Sequence, residues 1–412
     1  MRFRWLWPWA ALPLLPLLPL CAVPAWSQEK AIRALTLDEA LALAREHGRA
    51  VILARGRIEE ARARQAQASR RFQENPVLEA TGGYRRSGAG FFDFDATVTQ
   101  GLYGGRRRSA RVAGAQAALD RSEAELAEAR RLLLRDVWAS FARSRLGQDR
   151  VKLLARNRQT AEALLAATER RYEAGEGTAL ELNRARVAAA SARAEESAAE
   201  ASASTALTDL KGLLGLAEPI EIQGDLPLRQ PLELGTLLAG IGRRPGLQAL
   251  TAELREAEAE ILLGQALTRP GVGVSGGVAR EEGMDIVRAG IVLTLPVHDR
   301  GQETLAVGQA RATALRQTLA AAQSAAETEV RGRYSILTHQ LAAVRELEHT
   351  ALPALEDNES LAGKSFEAGE ISLGELLLIR REIVETRLAY LDRLLDATLA
   401  RFELETSAGA LQ

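Results

Sequence analysis

The stretch that decides the fold is YEAGEGTALEL at residues 172–182, because nearly the same sequence returns as FEAGEISLGEL at residues 366–376. Six of the eleven positions are identical, and the copies lie 194 residues apart in a chain of 412 residues. Each copy reads as the end of one helix followed at once by the start of another. The repetition therefore predicts two helical hairpins of the same design.

Both turns contain residues that end and restart a helix. Gly175 and Gly369 suit the left-handed conformation that commonly terminates a helix. A hydroxyl residue follows each glycine, and a glutamate stands three residues further on, which is the capping-box pattern. The two predicted boxes are Thr178 with Glu181 and Ser372 with Glu375.

The match extends beyond the turns. Asn75-Pro76 and Arg269-Pro270 lie 194 residues apart, and each leads into a glycine-rich segment, ATGGY at 80–84 and VSGGV at 274–278. A constant offset over several landmarks indicates an internal duplication. Each half is predicted to contain a helix, a strand pair, a very long helix, a turn and a long helix.

Alternating apolar residues predict two strand pairs, at about 76–103 and about 270–297. A period of two is the signature of a strand with one apolar face, and the lengths also suit strands that cross a membrane. A small soluble sheet packed on the helices is the alternative, but few helices offer the apolar bulk to cover it. The clearest alternation is Val272, Val274, Gly276 and Val278, followed by Val287, Ala289, Ile291, Leu293 and Leu295.

Residues 106–171 contain no proline and would span roughly 100 Å as one helix, at 1.5 Å per residue. Residues 187–206 hold ten alanines and four serines, so the returning helix has little bulk. Pro353 has no counterpart in the first half and predicts a kink or break. The predicted seams are Leu154, Ala161, Leu165, Thr168 and Tyr172; Val187, Ser191, Ala194, Ala198, Ala201, Thr205 and Thr208; and Leu376, Ile379, Ile383, Thr386, Tyr390 and Leu394.

If the four strands lie in lipid, one chain cannot close them into a barrel. An open sheet edge in hydrocarbon leaves unpaired backbone groups that cost several kcal/mol each. Even a barrel filled by side chains takes about eight strands, so chains must pool their strands. Three chains give twelve strands, the smallest plausible number for a channel.

The first 27 residues are predicted to be a signal peptide, with two arginines, an apolar run and Ala25-Trp26-Ser27 before a mature start at Gln28. A transmembrane helix and lipoprotein processing at Cys21 are the alternatives. Prolines interrupt the apolar run, which disfavours a transmembrane helix. Leu20 stands before the cysteine, where a lipoprotein signal has Gly, Ala or Ser. Removal of this segment leaves no cysteine for a disulfide or a thiolate metal site. A net charge of −1 argues against nucleic acid as a partner.

The duplication gives a predicted division of the mature chain. The parts are a first repeat at 28–215 with its tip at about 172–178, a connector at 216–235, a second repeat at 236–406 with its tip at about 366–372, and a tail at 407–412.

The signal peptide, the duplicated plan and the turn motifs RRYEAGEGTALEL and KSFEAGEISLGEL resemble the TolC family of outer-membrane efflux channels, over essentially all of 35–405. LPVHDRGQ at 295–302 is similar to the cation-efflux subgroup typified by CzcC. The resemblance implies a mainly helical homotrimer whose four strands per chain form a shared twelve-stranded barrel, continued by a helical tube. It also implies an outer-membrane address with a large periplasmic part, a periplasmic membrane-fusion adaptor and an inner-membrane pump of the RND type.

The resemblance implies that the hairpin tips dock the adaptor and that acidic residues after the second turn line an entrance constriction. Glu375 falls on one such position, whereas Leu378 stands where another acid is expected. Aromatic and basic residues beside the turns, predicted to be exposed, suit docking of a partner's helical hairpin. The predicted docking residues are Arg171, Tyr172, Gly175, Thr178, Lys364, Phe366, Gly369 and Ser372.

No motif predicts an enzyme, a cofactor or a metal site in the chain. The four histidines are scattered without the spacing of metal ligands, at His47, His298, His339 and His349. The resemblance to the efflux channels implies a passive exit duct for small solutes, with heavy-metal cations as one substrate class. The alternatives are a periplasmic coiled-coil adaptor or structural protein, and the outer-membrane duct of a type I protein secretion system.

Overall fold

The computed structural model describes residues 33–409 except 73, 87–89, 103, 227 and 229. The predicted signal peptide at 1–27, with Cys21, lies outside the described residues, as do residues 410–412 of the predicted tail. The division of the chain into two repeats and a connector stays a prediction.

The first half follows the predicted order. Its first helix is broken at Gly48 into two helices, and a strand pair follows. A helix of 69 residues then runs to the first turn, and a second helix returns. The elements are β1 Arg33–Leu35, α1 Leu37–His47, α2 Arg49–Ser69, β2 Val77–Arg85, β3 Phe91–Leu102, α3 Gly105–Glu173, α4 Ala179–Leu214 and β4 Ile220–Ile222.

The second half repeats this order with one difference. Its long helix is interrupted by a π-helical turn at Leu347–Ala351, directly before Pro353. Proline lacks the N–H that would continue the helical ladder, so the predicted break at Pro353 is confirmed. The elements are α5 Leu234–Gly240, α6 Pro245–Leu267, β5 Gly271–Glu281, β6 Met284–Thr294, α7 Gln302–Glu346, α8 Leu352–Glu367 and α9 Leu373–Ser407.

The strands form an antiparallel sheet in the order β2-β3-β5-β6, which matches both predicted strand pairs. The pairing of β3 with β5 joins the two halves, with Leu102 opposite Val272. A separate parallel pair is formed by β1 and β4, with Leu35 opposite Ile222, and it packs into a core cluster together with helical residues. The sequence predicted neither of these pairings.

The apolar core lies between the helices, away from the sheet. One cluster joins α1, α2, α3 and the end of α4, and includes Val137, Phe141 and Leu210. A second cluster joins α5, α7 and the end of α9, and includes Val330 and Leu404. The two clusters occupy corresponding places in the two halves, so the helices of each half pack around a core of their own.

Within a single chain, the buried line of α4 does not coincide with the predicted seam. Val187 is 66% exposed, and Ala194 and Ala198 are also exposed. The buried line instead contains Leu182, Ala185, Ala189, Ala192 and Ala199. The spacing of three and four residues is right, but alanines occupy both faces, so residue size does not tell which face turns inward. The seam of α9 has bulky residues, and all its predicted members are buried or half-buried.

Within the described residues, no helix combines the length and the apolar character needed to cross a membrane.

Candidate functional site

The first helical turn has the predicted geometry. Gly175 has a φ of +80°, in the left-handed region. The amide of Glu176 donates to the carbonyl of Arg171 at 2.9 Å, and that of Gly175 donates to the carbonyl of Tyr172 at 3.0 Å. This pair of bonds is the Schellman motif, which satisfies carbonyls left without partners at a helix end.

The second turn repeats the same bonds. Gly369 has a φ of +76°. The amide of Glu370 donates to the carbonyl of Ser365 at 2.8 Å, and that of Gly369 donates to the carbonyl of Phe366 at 3.1 Å. The duplication therefore preserves the backbone geometry of the tip as well as its sequence.

Both predicted capping boxes form. The amide of Thr178 donates to Oε2 of Glu181 at 2.8 Å, and the amide of Glu181 donates to the Thr178 hydroxyl at 3.2 Å. The amide of Ser372 donates to Oε2 of Glu375 at 2.7 Å, and the amide of Glu375 donates to the Ser372 hydroxyl at 3.2 Å. These bonds satisfy amides at the helix start. A third capping box, Thr36 with Glu39, also forms. It was not predicted from the sequence, although the two residues have the same spacing of three.

The capping bonds set the charge of the two tip glutamates. The backbone N–H of Ser372, and then its hydroxyl, hold the pKa of the Glu375 carboxyl below its ordinary value of 4.5. The same bonds from Thr178 lower the pKa of Glu181. Glu375 is exposed and ionised at neutral pH, but its carboxylate is held at the start of its own helix. Its predicted place in an entrance constriction stays a prediction.

The side chains beside the turns differ in exposure. Arg171 and Lys364 are exposed, and Tyr172 is 44% exposed. Phe366 was predicted to be exposed, and that prediction is wrong. It is half-buried against an apolar cluster of Leu164, Ala362, Leu373 and Leu376. Phe366 at the second tip therefore packs against the apolar cluster, while Tyr172 at the first tip is the more exposed of the two aromatic residues.

The Leu164 cluster joins the two hairpins near their tips. Leu164 lies on α3 of the first hairpin, whereas the other buried members lie on α8 and α9 of the second. The sequence predicted Leu165 for the seam of α3, but Leu165 is half-buried and its neighbour Leu164 is buried. Adjacent leucines on a helix point about 100° apart, so contact with the second hairpin decides between them.

A groove of about 720 Å³ lies beside this cluster, between α3, α4 and α9. Its wall includes Val187 and Leu377, and the guanidinium groups of Arg184 and Arg380. Burial lowers the pKa of Arg380, while the nearby charge of Glu359 opposes that change. Within the described chain, no carboxylate oxygen lies within 4 Å of either guanidinium. The wall also includes Arg381, Glu195 and Glu385, so three arginines face two glutamates and the groove is apolar with a small excess of positive charge.

The four-stranded sheet has one apolar and one polar face, as the alternation predicts. On the apolar face Val287 is 85% exposed and Ile291 is 74% exposed. Among the described residues, no helix covers either face. The small soluble sheet packed on helices is therefore the wrong alternative. Cross-strand register places together on this face Leu78, Ala80, Phe94, Ala96, Val98, Val272, Val274, Val278, Val287, Ala289, Ile291 and Leu293.

The polar face carries ion pairs that tie three strands together. Arg288 on β6 reaches across β5 to Asp95 on β3, at 2.8 Å. Arg85 on β2 contacts Asp93 at 3.0 Å and Glu282, in the β5–β6 turn, at 2.9 Å. Aspartates alternate with apolar residues in FDFDATV, a pattern that places both aspartates on one face of the strand. Ion pairs were not predicted from it. Their partners are distant in the chain and only the sheet order brings them together.

The sheet ends in two open edges, because β2 and β6 each pair on one side only. An antiparallel neighbour on either edge would satisfy the free backbone groups. Among the described residues, no three histidine, cysteine, aspartate or glutamate side chains gather as a metal site requires. The described geometry offers a sheet with an exposed apolar face at one end and two paired helical tips at the other.

Comparison with known proteins points to one family. The family model for outer membrane efflux proteins matches residues 40–216. The cobalt-zinc-cadmium resistance protein CzcC of Cupriavidus metallidurans is 30% identical over 304 residues, which cover 70% of this chain and 70% of CzcC.

Solved structures share the fold. A membrane protein from Pseudomonas aeruginosa superposes with a TM-score of 0.78 at 22% identity, over 90% of this chain and 93% of that one. The CmeC outer membrane channel of Campylobacter jejuni superposes with a TM-score of 0.75 at 14% identity, over 90% of this chain and 85% of the other.

Proposed function

Since this chain belongs to the outer membrane efflux protein family, we propose that it is the passive exit duct of a tripartite efflux system for small solutes, with heavy-metal cations as its first candidate substrates. The channel lies in the outer membrane with a large periplasmic part. Because the family consists of outer membrane efflux proteins, we no longer consider the alternative of a periplasmic adaptor.

The observation that carries the proposal is the open sheet. It has an exposed apolar face suited to lipid, a polar face suited to water, and two unpaired edges. An open edge in hydrocarbon is costly, so neighbouring copies would pair β6 of one chain with β2 of the next. Three copies would give twelve strands, enough for a water-filled lumen lined by the polar face.

Metal cations are favoured by similarity and by charge. The relative CzcC is named for resistance to cobalt, zinc and cadmium. The polar face of the sheet carries more carboxylates than guanidinium groups, with Glu79, Asp93, Asp95 and Glu281 against Arg85 and Arg288. Within the described chain, Glu79 has no basic partner within 4 Å. Uncompensated carboxylates lower the energy of cations in a narrow lumen.

The partners would be a periplasmic membrane-fusion adaptor and an inner-membrane pump of the RND type. The adaptor would meet the two tips, where Arg171, Tyr172 and Lys364 are exposed. The nearby groove with Arg184 and Arg380 would receive an acidic face of its helical hairpin. A ring of Glu375 from three copies would make the entrance negative, consistent with cations as substrates.

Assembly is tested by cysteine cross-linking, since Cys21 is the sole cysteine of the sequence. Thr81→Cys on β2 is combined in turn with cysteines at 286, 288, 290 and 292 on β6. We expect one register to give covalent dimers and trimers on a non-reducing gel. Thr97→Cys on the interior strand β3 is the control and should give none. A chain that stays single in every register would contradict the shared barrel.

Transport is tested in a strain that lacks the channel gene. The strain should become sensitive to Zn²⁺, Co²⁺ and Cd²⁺, and the native chain should restore growth. Gly175→Val or Gly369→Val should fail to restore it while the protein remains in the outer membrane, because a β-branched residue rarely adopts a left-handed φ. Unchanged metal sensitivity together with loss of a secreted polypeptide would favour the duct of a type I secretion system instead.

A further inference from the structure

The four junctions between helices and sheet are rich in arginine. They link α2 to β2, β3 to α3, α6 to β5, and β6 to α7, so all four lie at the helix-side end of the sheet. Every junction carries at least one arginine. We name this set the arginine collar: Arg70, Arg71, Arg106, Arg107, Arg108, Arg269 and Arg300.

The collar is strongly unbalanced in charge. Counted with the first turns of α3 and α7, the same segments contain three acidic residues, Glu74, Asp299 and Glu303, against seven arginines. Oδ1 of Asp299 accepts a bond from the amide of Gly301 at 2.8 Å, so it serves the backbone of its own turn. At the opposite end of the sheet, ion pairs join arginines to acids, as Arg85 with Asp93 and Arg280 with Asp285 show.

The collar arginines lack carboxylate partners. Within the described chain, no carboxylate oxygen lies within 4 Å of any of the seven, although arginines elsewhere are often ion-paired, as Arg311 is. Arg107 donates to the carbonyls of Ala266 and Leu267, and Arg108 donates to that of Ser69 at 2.8 Å. Arg70, Arg71, Arg106 and Arg269 are exposed and have no such bond among the described residues.

The collar lies beside the end of the apolar face. Leu295 is 63% exposed and Val297 is 61% exposed at the β6 junction, and Phe72 is 54% exposed at the β2 junction. In a membrane, exposed apolar and aromatic residues at a strand end mark the boundary between hydrocarbon and headgroups. In the membrane-embedded assembly proposed above, the collar arginines would stand at headgroup depth, on the side from which the long helices extend.

We propose that the arginine collar binds anionic phospholipid headgroups of the periplasmic leaflet and so fixes the depth of the channel in the outer membrane. A guanidinium group matches a phosphate with two parallel hydrogen bonds. Basic residues near an anionic surface add about 1 kcal/mol each, or about fivefold in affinity. This inference rests on the membrane-embedded assembly proposed above.

The test compares two variants of the full chain with the same change in net charge. The collar variant is R70Q/R71Q/R106Q/R269Q, which leaves the helix-capping Arg107 and Arg108 intact. The control variant is R49Q/R156Q/R331Q/R345Q, four exposed arginines on helices without a carboxylate within 4 Å in the described chain. Each is purified in neutral detergent, exchanged into equal mixtures of phosphatidylglycerol and phosphatidylcholine, and its retained lipids are counted by native mass spectrometry.

We expect the native and control proteins to retain phosphatidylglycerol in preference to phosphatidylcholine. In the collar variant, the ratio of retained phosphatidylglycerol to phosphatidylcholine should be at least tenfold lower. The preference should fall as salt rises from about 0.05 to about 0.5 M, because exposed charges are screened. Equal preference in all three proteins would overturn the proposal. So would a collar variant that keeps its lipids but changes cation permeability in a planar bilayer, since its arginines would then face the lumen.

The failure of this inference can be told from failure of the proposed function. Trimers that export metal normally without any preference for phosphatidylglycerol would overturn the collar alone. Chains that form no cross-linked trimer would overturn the assembly itself.

Discussion

At the scale of single residues, the two tip glycines are fixed by backbone geometry. Both have positive φ values, +80° at Gly175 and +76° at Gly369, and both lie in open space. A side chain in this conformation is strained whatever room surrounds it. The residue type is therefore explained by the turn alone, whereas a docking role rests on the exposed neighbours Arg171, Tyr172 and Lys364.

Replacement of Gly369 by alanine should destabilise the second tip by about 1 kcal/mol, because the left-handed conformation disfavours a Cβ. Gly363→Ala is the matched control. It lies inside α8 with nothing near its Cβ position, so alanine there should stabilise the helix by up to about 1 kcal/mol. Thermal unfolding in detergent measures both changes. Shifts of the same sign would show that the turn geometry is not the cause.

The capping glutamates should make the tips sensitive to acid. The pKa of Glu375 is lowered in the folded state, so its contribution to stability is complete above the ordinary value of 4.5. That contribution is lost as the pH falls from there through the lowered pKa. Hydrogen exchange of a peptide covering 366–380, corrected for intrinsic rates, should therefore quicken below about pH 4.5. Glu375→Gln, which cannot ionise, should show no such step, and a step of equal size in that variant would contradict the assignment.

At the scale of elements, the two returning helices show when a seam can be read. In α9 the seam is bulky and the predicted residues are buried or half-buried, with Leu376 and Ile383 fully inside. In α4 alanine and serine occupy every face, and the buried line is displaced from the predicted one. Burial in α4 is decided by close approach to α3, not by side-chain hydrophobicity.

The phase of α4 can be measured with one pair of substitutions. Ala189 is fully buried, so Ala189→Leu should force neighbouring atoms apart and cost about 1–3 kcal/mol. Ala194 belongs to the predicted seam but is exposed, so Ala194→Leu should change stability by less than about 0.5 kcal/mol. Thermal unfolding of the detergent-solubilised protein compares the two. A larger loss at Ala194 would restore the phase expected from sequence.

At the scale of the whole molecule, the sheet joins the duplicated halves. Its apolar face is exposed, whereas the helices bury their apolar residues between them. The pairing of β3 with β5 aligns the apolar residues of both halves on one face. The helices bury their own cores elsewhere, so nothing within the described chain covers that face. The apolar face suits lipid, and the helical part suits water.

The two faces of the sheet should respond oppositely to charge. Ile291→Arg puts a guanidinium on the apolar face and should cost about 2–4 kcal/mol in a bilayer. Thr81→Arg is the control, because Thr81 stands opposite Asp95 on the polar face. Flotation of membrane fractions and unfolding from liposomes measure insertion. Equal insertion of both variants would argue against lipid on the Ile291 face.

The sequence by itself determined the local features: the two turns with their caps, the extent of the long helices, the break at Pro353 and the alternation of the strands. These depend on neighbours within a few residues, so a single chain segment contains the information. The resemblance of the turn motifs to the efflux channels placed the chain in its family.

Only the tertiary structure decided which strands pair across the halves, which face of α4 is buried, that Phe366 packs against Leu164, and that Arg288 reaches Asp95. The partners in these contacts lie far apart in the chain, 193 residues for Arg288 and Asp95. Local sequence preference does not distinguish the buried residue from its neighbour in these cases. Alanines on two faces of a helix are equivalent until a distant surface packs against one face, and the same holds for two adjacent leucines.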